Sequence, residues 1–281
     1  MHNRYTNVVD GPAKAYIVSS GGAKSKMAAA LFRTARVAVL LLVPALLLAQ
    51  AVPQAADDDL AKSIVEKADQ VRFPVEPFEV SVAISTTDAS EPAEVRRYRV
   101  LAKGHENTII MVTEPASDRG QIFLMKGRDL WIFLPAVSQP VRLSLAQRLT
   151  GQVANGDLAR ANFGGDYAAK LLRTENTGNE SRYVLELTAI DRSVTYHRVI
   201  YWVGQTNYRP YRAEFYSLSD RLLKICLYEN YKPMAGRERP TRLVMQNALA
   251  KDEESVLEYS NMRVRDLPDR MFTKDYLKRL E

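Results

Sequence analysis

The three histidines are the side chains best suited to acid–base or metal chemistry near neutral pH. His2 lies near the N-terminus, His105 lies in the predicted hairpin turn Lys-Gly-His-Glu-Asn, and His197 lies in a predicted strand. The sequence contains no HExxH motif, no cysteine pair and no carboxylate-rich loop that would hold a metal ion. It also contains no GxSxG elbow, P-loop or Rossmann glycine pattern. We therefore predict a binding protein that is not an enzyme, and we expect neither a cofactor nor a metal.

Cysteine content and charge distribution narrow the class of protein further. Cys226 is the only cysteine, so the chain cannot form an intramolecular disulfide and has no cysteine at a cleavage site to carry acyl groups. The net charge is +6, but residues 1–51 contain six of the 39 basic residues and only one of the 33 acidic residues. The rest of the chain is nearly neutral, which argues against a nucleic-acid partner.

Residues 27–51 have the three parts of a secretory signal peptide. Arg33 and Arg36 form a charged part, and residues 37–49 form a continuous apolar run. This run is shorter than the about 20 residues that span a bilayer, although a buried helix or a retained anchor is the alternative interpretation. Ala49-Gln50-Ala51 has the small-x-small pattern that signal peptidase accepts, so we predict cleavage after Ala51. The protein is therefore predicted to lie in the periplasm of a Gram-negative type of envelope.

The mature chain is predicted to form one domain over residues 52–281, with translation starting at Met27. Hydrophobic residues make up 46% of the sequence and charged residues 26%, which is ordinary for a globular protein. We find no internal repeat, no low-complexity tract and no break in composition that would mark a domain boundary.

Closely spaced strand patterns dominate this domain. Apolar and polar residues alternate from Phe78 to Ser85, which indicates a half-buried strand. Further predicted strands cover residues 95–103, 107–113, 120–126, 129–134, 140–144, 181–190, 196–203, 210–217, 222–231, 239–247 and 254–262. Successive strands are not separated by long helices, so the pattern predicts an α+β fold that is mainly an antiparallel sheet.

Three helical segments interrupt the strands. Residues 59–71 are predicted to form an amphipathic helix. Residues 145–172 read as a loop followed by one or two short helices, with Asp157 as an N-cap. Residues 266–281 read as a short amphipathic helix. The two later segments are natural lids for the sheet.

Several strands are apolar on both faces, whereas a sheet that faces water on one side alternates apolar with polar residues. Residues 120–134, 197–204 and 222–228 all show this double-faced pattern. A second sheet, a closed barrel, or helices over an apolar cavity would each cover the second face. On periodicity alone, a plain β-sandwich is as compatible as a cavity.

The run RGQIFLMKGRDLWIFLPAVSQPVRLSLAQRLTGQVANGDLARANFGGDY, residues 119–167, resembles the signature of the LolA-like family of outer membrane lipoprotein-sorting proteins. The order of its parts is a strand, a turn, LWIFLP, a PVR strand, QRLTGQ, GDL and GDY. The resemblance extends over residues 64–281 and is greatest to the branch found beside RND/MMPL-type exporters.

The resemblance implies a curved half-barrel of about eleven strands, closed by short helices over a hydrophobic cavity. It also implies a periplasmic carrier, expected to be a monomer, that shields the acyl chains of a lipoprotein or lipid on the way from the inner to the outer membrane. An RND/MMPL-type exporter in the inner membrane is the implied partner.

Strand alternation and side-chain type give candidates for the cavity wall. Flexible methionines and large apolar residues suit variable acyl chains, and the candidates are Met111, Phe123, Met125, Trp131, Phe133, Ile200, Trp202 and Met245. Arg142 and Arg148 lie beside the predicted lid and are candidates for contact with an anionic head group. The sequence leaves open which face of the sheet is concave.

Two other functions stay open at this point. The LolA-like fold resembles the sensing domain of periplasmic stress regulators, so a lipid-sensing module is one alternative. A hydrolase that uses the cavity as its acyl pocket is the other, with a site assembled from residues distant in the sequence.

Overall fold

The computed structural model describes residues 52–88, 91–160, 162–178, 180–250 and 252–277. The predicted signal peptide and the predicted start at Met27 lie outside these residues and stay predictions. Within the described part of the chain, none of the helices has the length and apolar character needed to cross a membrane.

The described residues form fifteen strands and four α-helices. In chain order the strands are β1 (Phe78–Asp88), β2 (Glu91–Lys103), β3 (Asn107–Glu114), β4 (Ile122–Lys126), β5 (Asp129–Phe133), β6 (Val141–Leu143), β7 (Arg148–Thr150), β8 (Val153–Ala154), β9 (Tyr167–Thr177), β10 (Glu180–Ala189), β11 (Arg198–Gly204), β12 (Pro210–Tyr216), β13 (Leu222–Met234), β14 (Arg237–Asn247) and β15 (Glu254–Val264). The helices are α1 (Val52–Arg72), α2 (Asn155–Ala159), α3 (Phe163–Asp166) and α4 (Lys274–Leu277).

Thirteen strands form one open antiparallel sheet, in the order β6-β5-β4-β3-β2-β1-β15-β14-β13-β12-β11-β10-β9. The first and last strands of the chain pair in its interior, since Val82 of β1 lies opposite Tyr259 of β15. The other two strands, β7 and β8, form a separate hairpin. The predicted fold class is confirmed, with an open sheet of thirteen strands where about eleven were expected.

One face of the sheet, here called the inner face, packs against α1. Alternate residues of the strands point to it, such as Val80 and Val82 of β1 and Tyr201 of β11. Helix α1 buries Ile64 and Ala68 in the same apolar cluster. It contacts β9, β12 and β14, which lie within a run of six neighbouring strands, so the sheet curves around the helix.

The opposite or outer face of β2 to β5 is covered by the C-terminal segment, residues 265–277. Leu267, Phe272 and Leu277 are fully buried against outer-face residues that include Ile122 and Leu124. The apolar residues on both faces of β4 and β5 are therefore explained by the inner-face core on one side and by this segment on the other.

The structure corrects three predicted elements. Residues 167–172 were predicted as the end of a helical segment but form the first part of β9, which pairs with β10. Residues 266–281 were predicted to be a lid over the cavity, but the described part of this segment lies on the outer face. Helix α1 begins at Val52, seven residues before the predicted start.

Candidate functional site

An apolar cleft, here called the interior cleft, lies on the inner face between the end of α1, helix α2 and strands β1, β2 and β15. It contains about 600 Å³ of unfilled space, including its open mouth, but only about 40 Å³ can hold the centre of a water molecule. The cleft is therefore narrow. Its apolar lining comprises Phe73, Pro74, Val75, Phe78, Val80, Val82, Val100, Ala102, Leu158, Ala159 and Tyr259.

Strand alternation explains the wall of the cleft. Val80 lies opposite Val100, and Phe78 lies opposite Ala102, so paired strands place apolar residues side by side. Ala102 and Ala159 are small, which leaves space where larger side chains would close the cleft. The prolines of Phe-Pro-Val-Glu-Pro end α1 and bring Val75, which is 59% exposed, to the mouth.

The mouth of the cleft opens into a wider polar depression. Asp69, Gln70, Val75 and His105 line both spaces. The depression has about 1030 Å³ of unfilled space, including open solvent, and its other lining residues are Lys62, Glu66, Glu106, Asn162, Gly164 and Gly165. An apolar interior with a polar outer chamber is the arrangement that an amphiphilic molecule requires.

A buried ion pair, Asp69 with Arg72, lies in the last turn of α1 beside the cleft. Arg72 Nη1 is 3.3 Å from Asp69 Oδ1, and both side chains are less than 10% exposed. The same carboxylate accepts a hydrogen bond of 2.8 Å from Gly164 N of α3. Burial raises the pKa of Asp69 to about 6, although Arg72 and the backbone N–H groups lower it. The pair joins α1 to α3.

The residues of the signature sequence hold α2 on the inner face. Asp157 was predicted as an N-cap but lies inside α2, where its carboxylate accepts hydrogen bonds from Ala154 N at 2.8 Å and from Tyr196 Oη at 2.7 Å. Lys224 Nζ of β13 is 2.9 Å from the same carboxylate. A Cβ atom on Gly156 would lie 1.9 Å from Thr195 Oγ1, so only glycine permits this approach.

A second anchor ties α3 to the hairpin turns beside the cleft. Arg160 Nη2 donates a 2.8 Å hydrogen bond to Asp166, the aspartate of the GDY motif, and both side chains are only 5% exposed. Arg160 Nη1 also donates to the carbonyl groups of His105 and Gly127, at 2.9 and 2.8 Å. The conspicuous polar residues of the signature therefore position the helices that cover the cleft.

The structure separates the predicted cavity residues into three groups. Phe123, Met125 and Met245 belong to the inner-face core, without lining the interior cleft. Met111, Trp131 and Phe133 lie on the outer face, in the cluster with the C-terminal segment. Ile200 and Trp202 lie on the outer side of β11, where Trp202 Nε1 donates to Glu175 at 3.1 Å.

The predicted head-group residues lie apart from the cleft. Arg142 is exposed in β6 and pairs with Asp129, and Arg148 is exposed in the β7–β8 hairpin. The sequence analysis missed Asp69 and Arg72. Asp69 lies four residues after Val65, and Arg72 lies four residues after Ala68, so both charged residues fall on the buried stripe of α1. Charged residues on an apolar stripe were the signal that could have identified them.

A family model and several solved structures are similar to this chain. A family described as "Uncharacterized protein" matches residues 104–279, and no curated protein matches the chain in sequence. The crystal structure of a LolA superfamily protein from Nitrosomonas europaea is 62% identical, with a TM-score of 0.74, and the match covers 77% of this chain and 98% of that one.

Two more distant structures support the fold alone. A DUF1329 family protein from Desulfovibrio piger is 22% identical, with a TM-score of 0.69, over 79% of this chain and 99% of that one. A domain described as an outer membrane lipoprotein-sorting protein, from Vibrio parahaemolyticus, is also 22% identical, with a TM-score of 0.66 and the same coverage.

Proposed function

Because the chain belongs to the LolA superfamily, we propose that it is a periplasmic carrier that shields the acyl chains of a lipid or lipoprotein from water. In this proposal the cargo comes from the inner membrane, or from an RND/MMPL-type exporter in it, and moves towards the outer membrane. Binding and release are the whole function, and no catalytic step is assigned to any residue.

The interior cleft is the observation that supports this proposal. Its wall consists mainly of valine, alanine, leucine and aromatic side chains, and its mouth opens into a polar depression. Burying one CH₂ group is worth ~0.8 kcal/mol, so an acyl chain of about sixteen carbons represents on the order of 10 kcal/mol. This gain is available without covalent chemistry.

Loading requires the cleft to widen, since so little of it admits even water. The sheet is a continuous hydrogen-bonded ladder, whereas α1 and α2 are joined to it by side-chain contacts. We therefore place the movement in the helices, with the two helices separating from β1 and β2 as the chain enters.

Native mass spectrometry of the protein purified from its own periplasm tests the proposal. We expect stoichiometric lipid that is released by organic extraction. A protein that is recovered empty, and that also fails to bind a fluorescent fatty acyl probe, would contradict the carrier function.

A substitution inside the cleft tests where the chain binds. Ala102→Phe places a ring among Val80, Val100 and Phe78, and we expect it to reduce probe binding at least about tenfold, the effect of losing the burial of about two CH₂ groups. Ala83→Phe is the matched control, because Ala83 lies in β1 on the outer face, opposite Arg97. Equal binding by both variants would move the site elsewhere.

A further inference from the structure

Arg72 is a buried cation whose hydrogen-bonding capacity is not fully used. Its side chain is 7% exposed, and its contact with Asp69 involves Nη1 alone, at 3.3 Å. Its Nε has no hydrogen-bond partner among the described residues. Leaving a charged donor buried without a partner costs free energy, so this atom calls for an explanation.

Aromatic side chains surround the Arg72 guanidinium. Its central carbon lies 4.5 Å from the ring centre of Phe163 and 5.7 Å from that of Tyr228. Tyr201 packs against the same two rings, with its ring centre 5.2 Å from that of Phe163 and 6.1 Å from that of Tyr228. It is completely buried, and its hydroxyl also has no hydrogen-bond partner in the described chain. Two unused donors, Arg72 Nε–H and Tyr201 Oη–H, therefore lie in one apolar environment.

Arg72 lies between two spaces inside the protein, and Tyr201 packs against Phe163 and Tyr228, which line the second of them. Asp69 and Phe73, on either side of Arg72 in the chain, line the interior cleft. Arg72 itself lines a smaller cavity with Phe163 and Tyr228, in which about 20 Å³ can hold the centre of a water molecule. Asp157 and Asp166 also line it, and each is already paired with a cation, Lys224 and Arg160 respectively. This space holds about one water molecule, so a carboxylate enters it only when the surrounding side chains move apart. A guanidinium then binds the carboxylate through two parallel hydrogen bonds.

We propose that Arg72 and Tyr201 form a receptor for the carboxylate of a single-chain amphiphile, such as a long-chain fatty acid, whose tail occupies the interior cleft. The inference rests on the proposed carrier function and specifies its cargo. The carboxylate approaches the Nε side of Arg72, while Asp69 contacts Nη1. Because the pKa of Asp69 is raised to about 6, a proton can offset the second negative charge.

Two probes separate this inference from the carrier function. A fluorescent long-chain fatty acid and the methyl ester of the same acid are titrated into the purified protein, with acetate as a carboxylate without a tail. We expect the acid to bind at least about tenfold more tightly than the ester, as a charge-assisted hydrogen bond in a buried site provides. We also expect acetate to compete only weakly.

The outcomes are distinct. Equal affinity for acid and ester would overturn the carboxylate receptor and leave the apolar carrier intact. If neither probe binds, both the receptor and the proposed function fail. Binding of acetate as tightly as the fatty acid would show a site for small anions, which would also overturn the inference.

Variants locate the preference for the acid. Tyr201→Phe removes a hydroxyl that has no partner in the described structure, so it should fold normally and reduce the ratio of ester to acid dissociation constants. Arg72→Met should bring this ratio to about one. Arg212→Met is the matched control, because Arg212 also has an unpartnered Nε but lies on the outer face beside Trp202.

Loss of the buried charge can prevent Arg72→Met from folding, and Tyr201→Phe then decides alone. A ratio unchanged in Tyr201→Phe, or retained in a folded Arg72→Met protein, would show that water is the natural partner of these donors.

Discussion

Burial and the attraction of Arg72 shift the pKa of the Asp69 carboxyl group in opposite directions. It is 5% exposed and lies beside Arg72, and it accepts a hydrogen bond from Gly164 N. Burial is the larger effect and raises its pKa from 3.8 to about 6, against the opposing influence of Arg72 and the backbone donors. We predict that this single group makes the protein more stable as the solution becomes mildly acidic.

The sign follows from proton binding. Asp69 holds its proton more tightly in the folded than in the unfolded state, so its contribution to stability is fully present below pH 3.8 and is lost as the pH rises through about 6. A pKa difference of about 2 corresponds to about 3 kcal/mol at 25 °C. The side chain is buried, so solvent screening reduces this figure little.

Urea unfolding of the wild type and of Asp69→Asn, measured between about pH 4 and pH 7, isolates the effect because asparagine does not titrate. We expect the wild type to gain about 2 kcal/mol relative to the variant on going from pH 7 to pH 4, because the full contribution of about 3 kcal/mol is reached only below pH 3.8. Asp220→Asn is the control, because this side chain is 71% exposed. The free energy of unfolding of this variant, relative to the wild type, should be nearly the same at the two pH values. A constant difference for Asp69→Asn, or one of opposite sign, would show that attraction to Arg72 outweighs burial.

Two further substitutions test how the β7–β8 hairpin and the C-terminal segment are held in place. Gly151→Ala should destabilise the protein by about 1–3 kcal/mol, because Gly151 has a φ of +48° and a Cβ atom would lie 2.3 Å from Ser255 Oγ. Gly104→Ala is the control, because Gly104 has a φ of +61° but no neighbour within 4 Å, so it should lose less stability. Equal losses of stability in thermal unfolding would contradict the steric argument. Phe272→Ala should cost about 3–5 kcal/mol, since Phe272 is 1% exposed, and should increase proteolysis after Val264; unchanged protection would contradict this packing.

The alternation of apolar residues made most of the sheet predictable. From Phe78 to Ile84 the period of two survives because one face of β1 is buried and the other is more polar. The same reasoning failed at β9, where Tyr-Ala-Ala-Lys-Leu-Leu consists largely of helix-forming residues. Its strand conformation comes from pairing with β10, for example Leu171 opposite Leu185, and this partner is not visible in a local window.

The site was harder to predict, because β4 and β5 are apolar on both faces. Trp131 and Phe133 are as apolar as Phe123 and Met125, and only the fold decides which pair faces α1. That decision depends on the C-terminal segment, more than 130 residues further along the chain. Alternation therefore identifies two sets of residues but not the face to which each set belongs.

Different residues anchor the helices and line the cleft, which explains why the sequence identified the family but not the cargo. Asp157 and Asp166 in the signature hold α2 and α3 in place through buried hydrogen bonds. The wall of the cleft comes instead from β1, β2 and the end of α1, where exchanging one apolar side chain for another preserves the fold. Arg72 differs from this wall, because a buried cation is costly to retain unless it has a partner. Its contact with Asp69 attaches α1 to α3, and in the proposed receptor its Nε, which has no partner among the described residues, is the atom that selects the cargo.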